Sequence, residues 1–188
     1  MNNRSAGVRA VALAWLLSLA MAAHAFEDRD VGVYAEGGHA PHGGGGTDVL
    51  ALGVMLPWTP RQPVRGGALS LHADLYASQW RAPAAGGGRR SYAQLGAIAA
   101  WRYRFDEGRS PWFAEAGVGA GVLDGHYETP TRRFSTRFQF TEVLGVGRSF
   151  GARGAHEVSL RLQHFSNAGI RKPNPGENFV RLRYALRF

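Results

Sequence analysis

The sequence has no cysteine, so no disulfide braces the fold and no thiol carries chemistry. Without thiolates a structural zinc site is not expected either. Beyond residue 25 no apolar run reaches the ~18 residues that a membrane helix needs. No segment holds a helical hydrophobic period. If the mature chain meets a membrane, it must therefore cross as a closed barrel, the other structure that satisfies its own backbone polar groups in lipid. Phosphate-binding loops, metal clusters and nucleic-acid modules are also missing. The glycine runs at 43–46 and 86–88 follow no strand-to-helix pattern and read as flexible linkers.

The first 25 residues have a different character. Arg4 and Arg9 precede an apolar stretch over 11–22, which closes on Ala23-His24-Ala25. That is the pattern of a secretory signal, cleaved before Phe26. Its removal takes away two arginines and no acid, lowering a formal net charge of +8 by two. An exported chain without cysteine fits the envelope of a Gram-negative cell better than a disulfide-stapled secreted domain.

The mature region, 26–188, reads as one all-β domain. Its signal is a period of two. In SLHADLYASQW, Leu71, Ala73, Leu75 and Ala77 share one face, and Ser70, His72, Asp74, Tyr76 and Ser78 the other. In the last segment Val180, Leu182, Tyr184, Leu186 and Phe188 alternate with Arg181, Arg183, Ala185 and Arg187. YAQLGAIAAWRYRF and WFAEAGVGAGVL behave alike. With DVGVYAEGG, DVLALGVMLPW, RFSTRFQFTEVLGVGRSF and HEVSLRLQHFSN, eight strands are expected. TPRQPVRG, DEGRSP and GARGA are among the turn-rich pieces between them.

Alternation alone is also compatible with a soluble, ligand-carrying barrel. Two features favour an eight-stranded antiparallel transmembrane β-barrel of the outer membrane. Aromatic residues cluster near strand ends (Trp58, Trp80, Trp101, Tyr103, Trp112, Phe188), as in interfacial girdles. The chain also ends on an alternating strand with a terminal aromatic, the kind of signal that the barrel assembly machinery recognises. The polar face, with Asp74, Glu115, Arg102 and Arg183, would then fill the interior as mutual partners. With both termini periplasmic, loops 39–47, 82–89, 124–133 and 168–176 are extracellular. Their ends collect Arg81, Arg89, Arg90, Arg132, Arg133, Arg171 and Lys172, a rim suited to anionic headgroups.

QHFSNAGI interrupts this pattern. Val158, Leu160 and Leu162 face lipid, so His164 and Ser166 continue the lipid face near the outer end of the seventh strand. Polar groups there cost free energy. Two readings stand on parity alone: the strand has reached the polar interface, or the pair is a serine nucleophile with its histidine base.

The longer block HFSNAGIRKPNPGEN resembles the signature of PagL-type lipid A 3-O-deacylases. That family has an eight-stranded outer-membrane barrel, an H-x-S-N motif near its C-terminus and a following P-N-x-G turn. WFAEAGVGAGV is similar to its fifth strand. The resemblance implies hydrolysis of the ester-linked acyl chain at the 3-position of lipid A, with lipopolysaccharide as substrate and no cofactor. It implies Ser166 as nucleophile and His164 as general base, with Asn167 and the Gly169 N–H supporting the oxyanion; Asn167 also suits a plain turn residue. The family's glutamate on the last strand falls here at Asn178, with Glu177 one residue earlier. By parity Asn178 shares the lipid face and Glu177 points inward, unless a bulge turns it out. Glu142 is a third candidate, about opposite His164 across a hairpin. A non-enzymatic small barrel for adhesion or membrane integrity and a lipid A acyltransferase remain rival readings. A lipid-facing site also permits a homodimer.

Overall fold

The computed structural model describes residues 30–42 and 45–188. The expected signal segment, 1–25, lies outside the described residues. Eight strands form a closed antiparallel barrel in chain order: β1 (Gly32–Ala40), β2 (Thr47–Val64), β3 (Gly67–Pro83), β4 (Arg89–Phe105), β5 (Trp112–Leu123), β6 (Phe138–Phe150), β7 (His156–Ser166) and β8 (Glu177–Arg187). Pairing of β1 with β8 closes the cylinder, so no sheet edge is left open.

The wall separates two chemistries. Outward positions form an apolar belt that includes Leu52, Leu95, Leu144, Leu160 and Leu182. Inward positions hold many buried charges among apolar residues such as Met55, Ile98 and Val143, and the charges neutralise one another. Arg102 bridges Glu115 at 2.7 Å and Glu157 at 2.6 Å. Arg183 reaches Glu36 and Asp74, each at 2.8 Å. Nearer the end with the long loops, an aromatic plug replaces the charges. Trp80 is fully buried and meets Tyr127, Phe165 and Phe179 edge-on at ring separations of 5.3, 4.9 and 4.7 Å. Such pairs are worth ~0.5–1.5 kcal/mol each beyond area burial. The interior is thus filled by side chains, as the narrow bore of eight strands requires.

Three expectations about boundaries and faces change. Trp80 is not part of the outer girdle: it shares parity with Ser70 and Asp74 and points inward. The Pro-rich 59–64 is not a turn but the end of β2, with register shifts after Pro57 and Thr59. The hairpin there is only Arg65-Gly66, where Gly66 takes φ +72°. Finally, β6 begins at Phe138 rather than at 133. The preceding residues fold back instead: Phe134 donates its N–H to Tyr127 O at 2.9 Å and buries its ring in the plug.

Candidate active site

On β6, β7 and β8 the antiparallel register aligns three outward polar residues. Glu142 lies opposite His164, and His164 lies opposite Asn178. One step towards the outer end, Ser166 pairs with Phe140. One step inward, Leu144, Leu162 and Val180 continue the apolar wall. A cavity of about 490 Å³ opens on the His164 side of this patch, lined by these three apolar residues and by Glu142, His164, Asn178, Glu177 and Arg132; Ser166 and Phe140 are not in its lining.

The depth of the patch follows from strand geometry. From Phe138 to Arg148, β6 advances about ten residues, ~25 Å along the axis at a ~40° tilt, which is the height of a membrane barrel's apolar band. His164, level with Glu142, then lies ~10 Å below the outer edge of the band, and Ser166 ~5 Å below it. Both residues therefore lie in the acyl-chain layer next to the headgroups.

The hydrogen bonds assign the histidine's tautomer. His164 Nδ1 is 2.6 Å from Asn178 Oδ1. An amide oxygen only accepts, so Nδ1 carries a hydrogen, and in the neutral ring Nε2 then keeps the lone pair. This is the form that a general base requires. Room for the ring comes from Gly176, at φ +68°: a Cβ at that position would lie 2.7 Å from His164 Cε1. On the other side, the Thr141 hydroxyl donates to the His164 carbonyl at 2.8 Å and steadies the strand.

Of the three candidates for orienting the ring, the structure puts Asn178 on it and Glu142 beside it across the hairpin. Glu177 is elsewhere. It is 1% exposed and points into the barrel, with no bulge to turn it, because β8 keeps its register with β7 from Glu177 onward. Tyr127 donates its hydroxyl to Glu177 Oε2 at 2.6 Å, and His42 Nε2 is 3.3 Å from the same oxygen. Burial first, and then the bond to Glu177, raise the pKa of the Tyr127 phenol and keep it protonated as the donor.

Asn167 is buried and acts within the loop after β7. Its amide donates to Arg171 O at 2.8 Å, to Ser135 Oγ at 3.0 Å and to Thr136 Oγ1 at 3.2 Å. Its Oδ1 accepts the Gly169 N–H at 3.0 Å. Both expected oxyanion donors are therefore engaged in closing the turn. The N–H directed at the serine is that of Ala168, 3.4 Å from Ser166 Oγ. Ala168 holds φ +52°, a left-handed conformation unusual for alanine, which turns the following chain away from the strand.

Sequence reasoning did not find Tyr127, His42 or Thr47, and it placed Arg132 only in the cationic rim. They come from loops and a strand end distant along the chain, where no periodicity marks a partner. The glycine of P-N-P-G, Gly176, is the signal that could have pointed to a close backbone approach there.

Comparison with known proteins gives the family and the fold. Residues 49–187 match the family model for PagL, lipid A 3-O-deacylase. Lipid A deacylase PagL from Bordetella bronchiseptica (strain ATCC BAA-588 / NCTC 13252 / RB50) is 35% identical over 134 residues, 70% of this chain and 70% of that protein. Lipid A deacylase PagL from Pseudomonas aeruginosa (strain PAO1) is 27% identical over 120 residues, 64% of this chain and 66% of that one. The crystal structure of the outer membrane enzyme PagL superposes with a TM-score of 0.70 at 22% identity, covering 84% of this chain and 99% of that one. At that identity the superposition speaks for the fold.

Proposed function

The chain belongs to the PagL lipid A 3-O-deacylase family, and we propose that it performs the family's hydrolysis with Ser166 as nucleophile and His164 as general base. It is an outer-membrane enzyme, and its substrate is lipid A. The observation that carries the catalytic assignment is the 2.6 Å bond from His164 Nδ1 to Asn178 Oδ1, which leaves Nε2 basic.

In this reading lipid A lies against the outer wall, its acyl chains among those of the outer leaflet and its 3-position ester level with Ser166. Ser166 Oγ attacks the ester carbonyl while His164 Nε2 takes the hydroxyl proton. Negative charge collects on the former carbonyl oxygen. In this reading the Ala168 N–H, which faces Ser166 Oγ, is its donor, and the Asn167–Gly169 hydrogen bond closes the turn around it. Collapse expels the sugar 3-hydroxyl, which receives the proton from His164. Water then attacks the acyl-serine with His164 again as base, releasing a 3-hydroxy fatty acid and free Ser166.

Asn178 orients the imidazole, and Glu142 opposes the positive charge that forms on it. The carboxylate thus stands on β6 while a neutral amide occupies β8. The low dielectric of the lipid face strengthens this attraction compared with water. Residues 1–25 serve as the export signal, and β8 with its terminal Phe188 as the segment read by the barrel assembly machinery. The lipid-facing site leaves room for a homodimer.

The test is mass spectrometry of lipid A from cells expressing the wild type or Ser166→Ala. Loss of one 3-hydroxyacyl chain with the wild type alone is the expected result. Deacylation by a folded Ser166→Ala barrel would overturn the nucleophile assignment. The same assay in detergent distinguishes an enzyme restrained by its membrane from an inactive one. N-terminal sequencing of the membrane-extracted protein is expected to begin at Phe26.

A further inference from the structure

We propose that Arg132, from the loop joining β5 to β6, is a positioning residue for His164. The proposal rests on the reading of His164 as the general base.

Two residues at the start of the last strand, Gly176 and Asn178, flank the imidazole. Asn178 takes Nδ1. Gly176 presents bare backbone to the opposite edge: a Cβ there would sit 2.7 Å from Cε1 and 3.4 Å from Nε2. Nε2 must receive and return the proton, so the wall beside it governs the angle at which the ring meets the serine. That wall is itself held from outside the strand. Arg132 Nη1 donates to the Gly176 carbonyl at 2.7 Å and stands 3.9 Å from Glu177 Oε1. The same Glu177 Oε1 accepts the Asn178 N–H at 3.3 Å. One guanidinium thus restrains both the residue that walls the ring and the carboxylate that ties down the residue gripping it.

The loop carrying Arg132 is a rigid support. The Arg132 N–H donates to Thr129 Oγ1 at 3.0 Å, and the Arg132 carbonyl accepts the Thr129 N–H at 2.8 Å. Tyr127 and Phe134, on either side, pack into the plug around Trp80. Tyr127 also anchors Glu177 through its hydroxyl, which is 2.6 Å from Thr47 Oγ1 as well. The catalytic ring is therefore registered against the interior of the barrel, although it faces lipid. A planar guanidinium reaches a carbonyl and a carboxylate together, whereas an ammonium offers a single point of charge.

The test uses the purified full-length protein in mixed micelles with lipid A and the variants Arg132→Ala, Arg132→Lys and Ser166→Ala. Displacing a reacting group by ~1 Å costs about 100-fold. Arg132→Ala is expected to lower kcat by about 10- to 100-fold with KM within about 3-fold of wild type. Arg132→Lys, or guanidinium ion added to Arg132→Ala, is expected to restore part of the loss. A rise in KM with kcat intact would make Arg132 a substrate contact and overturn the proposal, as would unchanged kinetics. If Arg132→Ala does not yield a heat-modifiable barrel, the kcat–KM split is read on Arg132→Lys, which keeps the charge, and a reduced kcat is expected. Activity retained by Ser166→Ala would overturn the serine–histidine reading itself, whatever Arg132 does.

Discussion

The two faces of β5–β8 carry polar groups under opposite terms. On the inner face, Glu157 meets Arg102 at 2.6 Å and Arg187 at 2.9 Å, and Ser149 donates to it at 3.3 Å. Each of these side chains is almost fully buried, and each charge faces its complement. On the outer face, Glu142, His164, Asn178 and Ser166 stand in an apolar belt, half-buried or exposed. A polar group in lipid costs free energy unless it is bonded, and a charge costs more. The inner set offsets that cost by mutual pairing and stabilises the barrel. The outer set is only partly compensated, by bonds such as His164 to Asn178, and its groups stay available to an incoming ester. Pairing within the wall supports the fold; incomplete pairing on its outside marks the chemistry.

Substitutions on the two faces should therefore separate activity from stability. The largest effect is expected for Ser166→Ala: loss of the nucleophile lowers kcat by roughly 10⁴-fold or more, while the urea midpoint of the folded barrel in detergent stays at the wild-type value. The mirror case is Glu157→Ala, which leaves Arg102 and Arg187 short of a counter-charge. Breaking such a buried pair costs about 3–5 kcal/mol, so the urea midpoint should fall steeply, while the fraction that still folds keeps its kcat. Next comes Asn178→Ala, which frees the imidazole to rotate and to change tautomer. It is expected to lower kcat by about 10- to 100-fold without changing stability, as loss of an orienting partner does. Asn178→Glu should retain more activity than the alanine variant, because a carboxylate also accepts from Nδ1. The smallest effect is expected for Glu142→Gln. It keeps the shape and removes the charge opposed to the imidazolium, lowering kcat by about 3- to 10-fold, in line with an ion pair at partial exposure. If Glu142→Gln proved as damaging as Asn178→Ala, the carboxylate on β6 would be the principal partner of His164.

Much of this was legible along the chain. Alternation in the segments around Asp74, Arg102 and Arg183 sorted the inner from the outer face residue by residue. The same parity put His164 and Ser166 outside, paired Glu142 with His164 across the hairpin, and favoured Asn178 over Glu177 for the lipid face. Parity also put Trp80 inside, although its type suggested the girdle. Type describes what a residue tolerates, whereas position in the pleat decides where it points. The prolines at 60 and 63 misled in another way. They suit a turn, yet a barrel rim with register shifts accommodates them in a strand.

The sequence by itself determined the number of strands, their two faces and the shared outward face of His164 and Ser166, because a period of two is local and needs only neighbours two residues apart. The tertiary structure alone decided what holds that pair. The plug around Trp80, the bond from Tyr127 to Glu177 and the grip of Arg132 on Gly176 join residues 44 or more positions apart. Such contacts form only once the barrel has closed and brought its long loops to one end.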